Sequence, residues 1–273
     1  MTTINKSQIL VAFTVVLLFS MTIYHNGHFR DIFSYYEHAG EKTYDIDNDG
    51  WTVDLDSQFE MADEFGMGNV AVIHSSHSGA MASMALKAAR QGFIAFAFTH
   101  ADSLLLSHNG QRPFFGTNPI CMAVPRQQEE PYCLDMATSM ISWNKLMVHR
   151  ADGSELSENL AADSNGDITC SPEEATCLIP AGFYKGYGLA SMVEILCGIF
   201  TGMNFGRAIP GMYTASMNTP RQLGQFYIVM RTDGCLEHEE FLTRMQDMTD
   251  QVRKEPGMDG EKVMLPGDPE IQE

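Results

Sequence analysis

The sequence predicts an α/β protein whose sheet is not of the Rossmann dinucleotide-binding kind. From residue 68 onward, short apolar runs bounded by turn residues alternate with stretches of helical periodicity, the pattern of strands and helices sharing one core. The fingerprint G-x-G-x-x-G is missing. "GMGNVAV" supplies Gly66 and Gly68 but no third glycine, and it precedes a strand instead of following one. With 273 residues, 44% of them hydrophobic, the chain is long enough to bury a large core.

The elements follow in order. "ILVAFTVVLLFSMTIY" (9–24) is an apolar leader after a lone Lys6. It is short for a membrane span and has the proportions of a signal-peptide core, although the small-x-small cleavage signal is poor. Two readings stand: a secreted or membrane-anchored chain, or an ordinary buried segment or misplaced start. Residues 1–24 are therefore set apart from the 25–270 domain. "DIDNDGWTVDLD" (45–56) matches a calcium loop at Asp45, Asp47, Asp49 and Gly50. It closes on Asp56 instead of the bidentate Glu, and calcium hands come in pairs, so its acids read as turn chemistry and no metal is expected. The similar "DSNGD" (163–167) lacks the glycine at position 6 that the first loop has in Gly50.

"NVAVIH" (69–74), "FIAFAFTH" (93–100), "PICMAVP" (119–125), "YCLDMA" (132–137) and "FYIVM" (226–230) read as strands. "GAMASMALKAARQG" (79–92) reads as a helix ending at Gly92. Residues 151–175 are polar and turn-rich, a loop or small excursion. "KGYGLASMVEILCGIFTGM" (185–203) is apolar nearly all round, which predicts a helix buried on every side. "LEHEEFLTRMQDMTDQVRK" (236–254) puts Leu236, Phe241, Leu242, Met245, Met248 and Val252 on one face of an amphipathic helix.

A formal charge of −18 without any Lys/Arg run argues against nucleic acid and anionic membrane surfaces. Membrane association is expected only through the leader. The six cysteines form no CxxC pair, and four sit in apolar runs. That is the usage of unpaired thiols in a reducing compartment.

Chemistry concentrates in a few motifs. In "HSSHSGA", His77 sits in a turn before a helix, where nearby amides favour a neutral imidazole able to accept a proton. "GTNP" (116–119) is a polar elbow feeding a strand. "LDMATS" (134–139) ends a strand on Asp135, either a holder of ribose hydroxyls or a helix N-cap. "YKGYG" sets Lys185 at a helix start, where its ammonium and backbone amides would together hold a phosphate.

In combination and order, "HSSHSGA", "AARQGFIAFAFT", "GTNP", "LDMATS", "YKGYGL", "LGQFYIVM" and "LPGDPE" resemble the malate/L-lactate dehydrogenase family of the second type. The resemblance covers about residues 44–270. It implies a non-Rossmann α/β fold with a mixed sheet and packed helices. It also implies NAD or NADP as cofactor, a small 2-hydroxy or 2-keto acid as substrate, a homodimer and a cytoplasmic location. Carried over residue by residue, His77 matches the family's active-site histidine. Asp135, Met136, Ala137 and Lys185 match cofactor contacts, and Pro266, Gly267 and Asp268 match a cofactor turn. Ala101 stands where the family has a cofactor-touching Ser or Thr. The substrate-binding motif "SHGxxR" has its best counterpart in "HNGHFR". Arg30 takes the carboxylate-clamping position, and Asn26 replaces the histidine. The family's N-terminal helices have no counterpart, so a catalytically inactive homologue, kept for dimerisation or regulation, is the alternative expectation.

Overall fold

The structure is a computed structural model, and it describes residues 56–272 apart from residue 217. The leader, "HNGHFR" with Asn26 and Arg30, and all but the last residue of the calcium-like loop lie outside that range. Helix α1 (Asp56–Phe65) leads through Gly66 into β1 (Met67–Ser75). Helix α2 (Ala82–Ala89) and β2 (Phe93–Thr99) follow, then the short β3 (Leu105–Leu106) and β4 (Pro113–Phe115). β5 (Ile120–Val124) and β6 (Tyr132–Met136) form a hairpin.

β10 (Leu223–Arg231) joins β1, β2, β5 and β6 in the main sheet, in the order β1-β10-β2-β5-β6. Every neighbouring pair in it is antiparallel. Side chains alternate across a strand, and β2 shows why this sheet needs two different coverings. Ala95 and Ala97 are fully buried on one face, where Phe93 stacks on Phe59 of α1 at 5.2 Å. Ala123 of β5 pairs with Ala95, and α2 packs on β2 and β5 with Ala85, Ala88 and Ala89 buried. Alanine on both sides of this contact lets backbone approach backbone. The other face carries Phe96, Phe98, Phe226 and Ile228, packed with Val193 and Cys197.

Those last two residues belong to α4 (Tyr184–Glu194) and the π-helical turn Ile195–Ile199 that continues it. A Cβ on Gly224 would lie 2.0 Å from the Cys197 carbonyl oxygen, so only glycine lets β10 pass beneath that turn. The outer stripe of the same helix corrects the sequence expectation of burial all round. Leu189, Met192, Ile195, Ile199 and Phe200 are exposed. An apolar face at helical spacing reads alike whether it meets the core or another surface.

Between β6 and α4 lie α3 (Trp143–Asp152) and the short strands β7 (Ala161–Ala162), β8 (Ile168–Thr169) and β9 (Cys177–Leu178). With β3 and β4 the latter form a second sheet, β4-β3-β9-β7-β8, in which β3 and β9 run parallel. The loop expected over 151–175 thus contains a hairpin. "DSNGD" is its turn, where the Asp163 carboxylate accepts the Asn165 and Asp167 amides at 2.8 and 3.0 Å. The helix expected over 79–92 is shorter at both ends, running Ala82–Ala89. Helix α5 (His238–Arg253) and the short α6 (Asp268–Gln272) close the chain. No helix among the described residues is long and apolar enough to cross a membrane.

Candidate active site

Alternating strand directions have a direct consequence for the chemistry. β1, β2 and β6 leave the sheet at one rim, and β10 and β5 enter it there. That rim collects His74–His77 at the end of β1, His100–Asp102 after β2 and Ala137–Ser139 after β6. Arg221 and Gln222 precede β10 there, and Gly116–Pro119 precede β5.

The His77 loop is nailed from several sides. Gln225 Nε2 donates to Ser75 Oγ at 2.7 Å and to the Ser76 carbonyl at 3.5 Å, and Tyr227 Oη donates to Gln225 Oε1 at 2.6 Å. His77 itself is exposed. Its Nδ1 accepts the Gly79 amide at 3.0 Å, so the neutral ring carries its proton on Nε2.

Asp135 reaches across to this loop. Its Oδ2 accepts the Ala82 amide at 2.8 Å, at the first residue of α2. Burial raises the Asp135 carboxyl above its ordinary pKa, and the Ala82 and Met81 amides pull against that rise. The acid is therefore an N-cap supplied by another strand, which is why α2 starts at Ala82 and leaves residues 79–81 as loop. Capping spends part of a carboxylate that has about four lone-pair sites, so capacity remains for a hydroxyl donor.

The end of β6 meets the Lys185 turn through backbone. Thr138 donates its amide and its hydroxyl to the Thr117 carbonyl, both at 2.8 Å, and its own carbonyl accepts the Ala181 amide at 2.9 Å. A Cβ on Gly186 would lie 2.5 Å from the Thr138 carbonyl oxygen; the glycine after Lys185 exists for this approach. Gly182 and Phe183 both have positive φ, 59° and 57°. A non-glycine residue held there carries about 1–3 kcal/mol of strain. The amides of Lys185, Gly186 and Tyr187 are spent on the carbonyls of Gly182, Ala181 and Phe183. This corrects the expected phosphate cradle, because those amides are turned inward. The exposed Lys185 side chain provides its cationic half.

Ala101 is half-buried beside a network that the sequence hid. Asn118, fully buried, accepts the Ala101 amide at 3.1 Å. Its Nδ2 donates to the Ala190 carbonyl at 2.9 Å and to Glu194 at 2.7 Å, and Glu194 accepts the Gly206 amide at 2.6 Å. The available signal was Glu194, a lone acid inside an apolar run. His100 is clamped between the carbonyls of Gly224 and Asn204, at 3.1 and 2.9 Å. Asp102 pairs with Arg221 and accepts the Met212 amide at 3.1 Å. Tyr213 donates to Asn144 Oδ1 at 3.2 Å and stacks on Trp143. Met212 and Arg221 are thus both held at Asp102 on the rim, while Tyr213 reaches α3.

The Pro266–Asp268 turn sits on the outer edge of β6, where the Pro266 carbonyl accepts the Cys133 amide at 3.3 Å. That is two residues from Asp135. The Asp268 side chain is buried and bonds to Arg126 and Arg253, each at 2.8 Å. Burial pushes its carboxyl up, but Arg253, the Leu265 amide and Arg126 together hold it well below the ordinary carboxylate range. Met136 lies on the opposite face of β6 from Asp135, paired in register with Ile120. Among the described residues no cluster of three or more His, Cys, Asp or Glu could hold a metal.

Comparison with known proteins agrees with this architecture. The profile of the malate/L-lactate dehydrogenase family matches residues 53–273. The chain is 31% identical to an NAD(+) ureidoglycolate dehydrogenase of Escherichia coli K12, over 78% of this chain and 61% of that protein. It is 34% identical to an NADP(+) (2R)-3-sulfolactate dehydrogenase of Chromohalobacter salexigens, over 76% and 60%. The crystal structure of malate dehydrogenase from Entamoeba histolytica superposes with a TM-score of 0.74 at 26% identity, covering 81% of this chain and 65% of that one. The chain thus spans about three-fifths of the length of the curated relatives it matches. On the strength of a match running through all of the described residues, the chain belongs to the malate/L-lactate dehydrogenase family.

Proposed function

We propose that the protein is an NAD- or NADP-dependent oxidoreductase that moves a hydride between the nicotinamide and the carbinol carbon of a small 2-hydroxy acid. One observation carries the reading: the His77 loop, the Asp135 strand end and the Lys185 turn are joined by hydrogen bonds at one rim of the sheet. The relatives' names supply the substrate class, with ureidoglycolate, sulfolactate and malate among them and both NAD(+) and NADP(+) represented.

The residues present fit such a cofactor. Lys185 offers an exposed cation for its diphosphate, and Asp135 retains acceptor capacity for a ribose hydroxyl. Met136, Ala137 and the Pro266–Asp268 turn flank Asp135 along β6. When bound, the nicotinamide supplies a two-electron acceptor or donor. The chain supplies orientation and proton exchange at His77, and the family resemblance assigns Arg30 and Asn26 to substrate binding. The six unpaired cysteines suit a reducing, cytoplasmic setting. The exposed stripe of α4 supports a homodimer.

Titrating the protein with NADH and NADPH by fluorescence, then assaying malate, lactate and ureidoglycolate, tests the reading. Saturable binding with turnover of one of these acids is expected. Binding without turnover would favour the inactive-homologue reading, for which Ala101 speaks by placing a methyl group where the family has a hydroxyl.

A further inference from the structure

The β5–β6 hairpin carries two thiols that the hydride chemistry does not use. Cys121 pairs in register with Asp135, and Ala123 pairs with Cys133. Side chains alternate along a strand, so Cys121, Cys133 and Asp135 share the face that α2 covers. Cys121 is fully buried and Cys133 half-buried. The thiols meet diagonally across the ladder, where the Cys121 S–H donates a hydrogen bond to the Cys133 sulfur. That bond lowers the Cys133 pKa below its ordinary value, against burial and the nearby Asp135 carboxylate. The thiolate is the form that oxidants attack, and Cys133 is also the accessible member of the pair.

Closing a bond between them moves the strand. Diagonal neighbours in an antiparallel pair have Cβ atoms somewhat under about 7–8 Å apart, and a disulfide needs about 3.8 Å. β6 must therefore shift along β5 as the sulfurs join. Cys133 is two residues from Asp135, and its amide donates to the Pro266 carbonyl at 3.3 Å. A Cβ on Gly267 would lie 3.0 Å from the same Cys133 nitrogen, so the Pro266–Asp268 turn rests directly on this residue. Movement of Cys133 thus reaches Asp135, which holds the Ala82 amide, and the turn on its outer side. Disulfides closed under strain are the reducible, regulatory kind.

We propose that Cys121 and Cys133 form a peroxide-responsive thiol pair whose closure slackens the nicotinamide site. The effect on the site rests on the proposed oxidoreductase reading; the bond itself does not. Hydrogen peroxide is the oxidant. The Cys133 thiolate attacks one peroxide oxygen, the O–O bond breaks, and the departing hydroxide takes a proton to become water. Cys133 is left as a sulfenic acid. The Cys121 sulfur then displaces the hydroxyl group, which leaves with the Cys121 proton as a second water. Two thiols and one peroxide give one disulfide and two waters, and a dithiol reductant reverses the change.

The two cysteines fall in separate tryptic peptides, 91–126 and 127–145, each without another cysteine. The whole protein is treated with hydrogen peroxide, digested without reductant and mapped by mass spectrometry. These peptides are expected as a linked pair, two hydrogens lighter than their sum and released by dithiothreitol. On oxidation the dissociation constant for NADH is expected to rise roughly tenfold and to return with dithiothreitol. In Cys121→Ala, peroxide is expected to leave that constant unchanged. Peptides that stay unlinked, or that link without altering the NADH constant, would overturn the proposal. A reduced protein with no affinity for NADH would instead sink the oxidoreductase reading, while the peptide map still decides whether the thiols join.

Discussion

At the scale of single residues, the site is a set of side chains whose partners fix what each can do. Lys185 has a side chain turned to solvent and backbone amides already used, so its contribution is a point charge. Lys185→Ala should weaken cofactor binding about tenfold, the loss of a charge-assisted contact worth about 1.5 kcal/mol, as read by nicotinamide fluorescence. His77→Asn should lower turnover roughly 10²–10⁴-fold while leaving the thermal unfolding curve in place, because its ring is exposed. Motif order is what brought these residues forward as candidates. Asp135 was legible as an acid at a strand end, and both readings of it stood open; capping is now seen, and a second acceptor role is compatible with it. Asp102 and Arg221 were not legible. They lie 119 residues apart, and no local pattern marks a pair of that separation.

Among the elements, those with strong periodicity matched the sequence closely and those with weak periodicity did not. β2 was expected over 93–100 and runs Phe93–Thr99; within it Ala95 and Ala97 alternate with Phe96 and Phe98, giving the sheet a thin face and a thick one. Helix α3 carries one buried residue, Leu146, and so gives almost no apolar stripe. Its signals were the ends: Ser142, whose side chain accepts the Lys145 amide, and Gly153 in the left-handed conformation. The connection of α5 and α6 to the β5–β6 hairpin was equally hidden, since it depends on Asp268 meeting Arg126 and Arg253. The folded Asp268 carboxyl sits below its unfolded value of about 3.9, so the unfolded chain binds protons first as the medium is acidified. Its stabilising contribution is whole above about pH 4 and drains away below it. Asp268→Asn should cost about 3 kcal/mol at neutral pH and flatten the acid limb of stability, both measurable by urea unfolding across pH. Gly224→Ala tests the crossing of β10 beneath the π-helical turn. With Cβ forced onto the Cys197 carbonyl, a loss of about 1–3 kcal/mol is expected.

For the molecule as a whole, the class was readable and the covering of its surface was not. An apolar helix face says that it wants company without saying whose. If a second copy covers the α4 stripe, Ile195→Asp with Ile199→Asp should lower the sedimenting mass to that of one chain of 30.3 kDa, with far-ultraviolet circular dichroism retained. A native protein already sedimenting at that mass would remove the dimer.

The purely antiparallel course of the main sheet has a practical corollary. Since the candidate site lies where β1, β2 and β6 finish, the far margin, with the connector after β10, is remote from it by roughly 25 Å, the length of that strand. Cys235 lies in that connector and is the exposed thiol of the six. A dye or tether fixed there would ride on the quiet end of the protein, giving an experimenter a handle on folding and assembly that leaves the candidate site untouched.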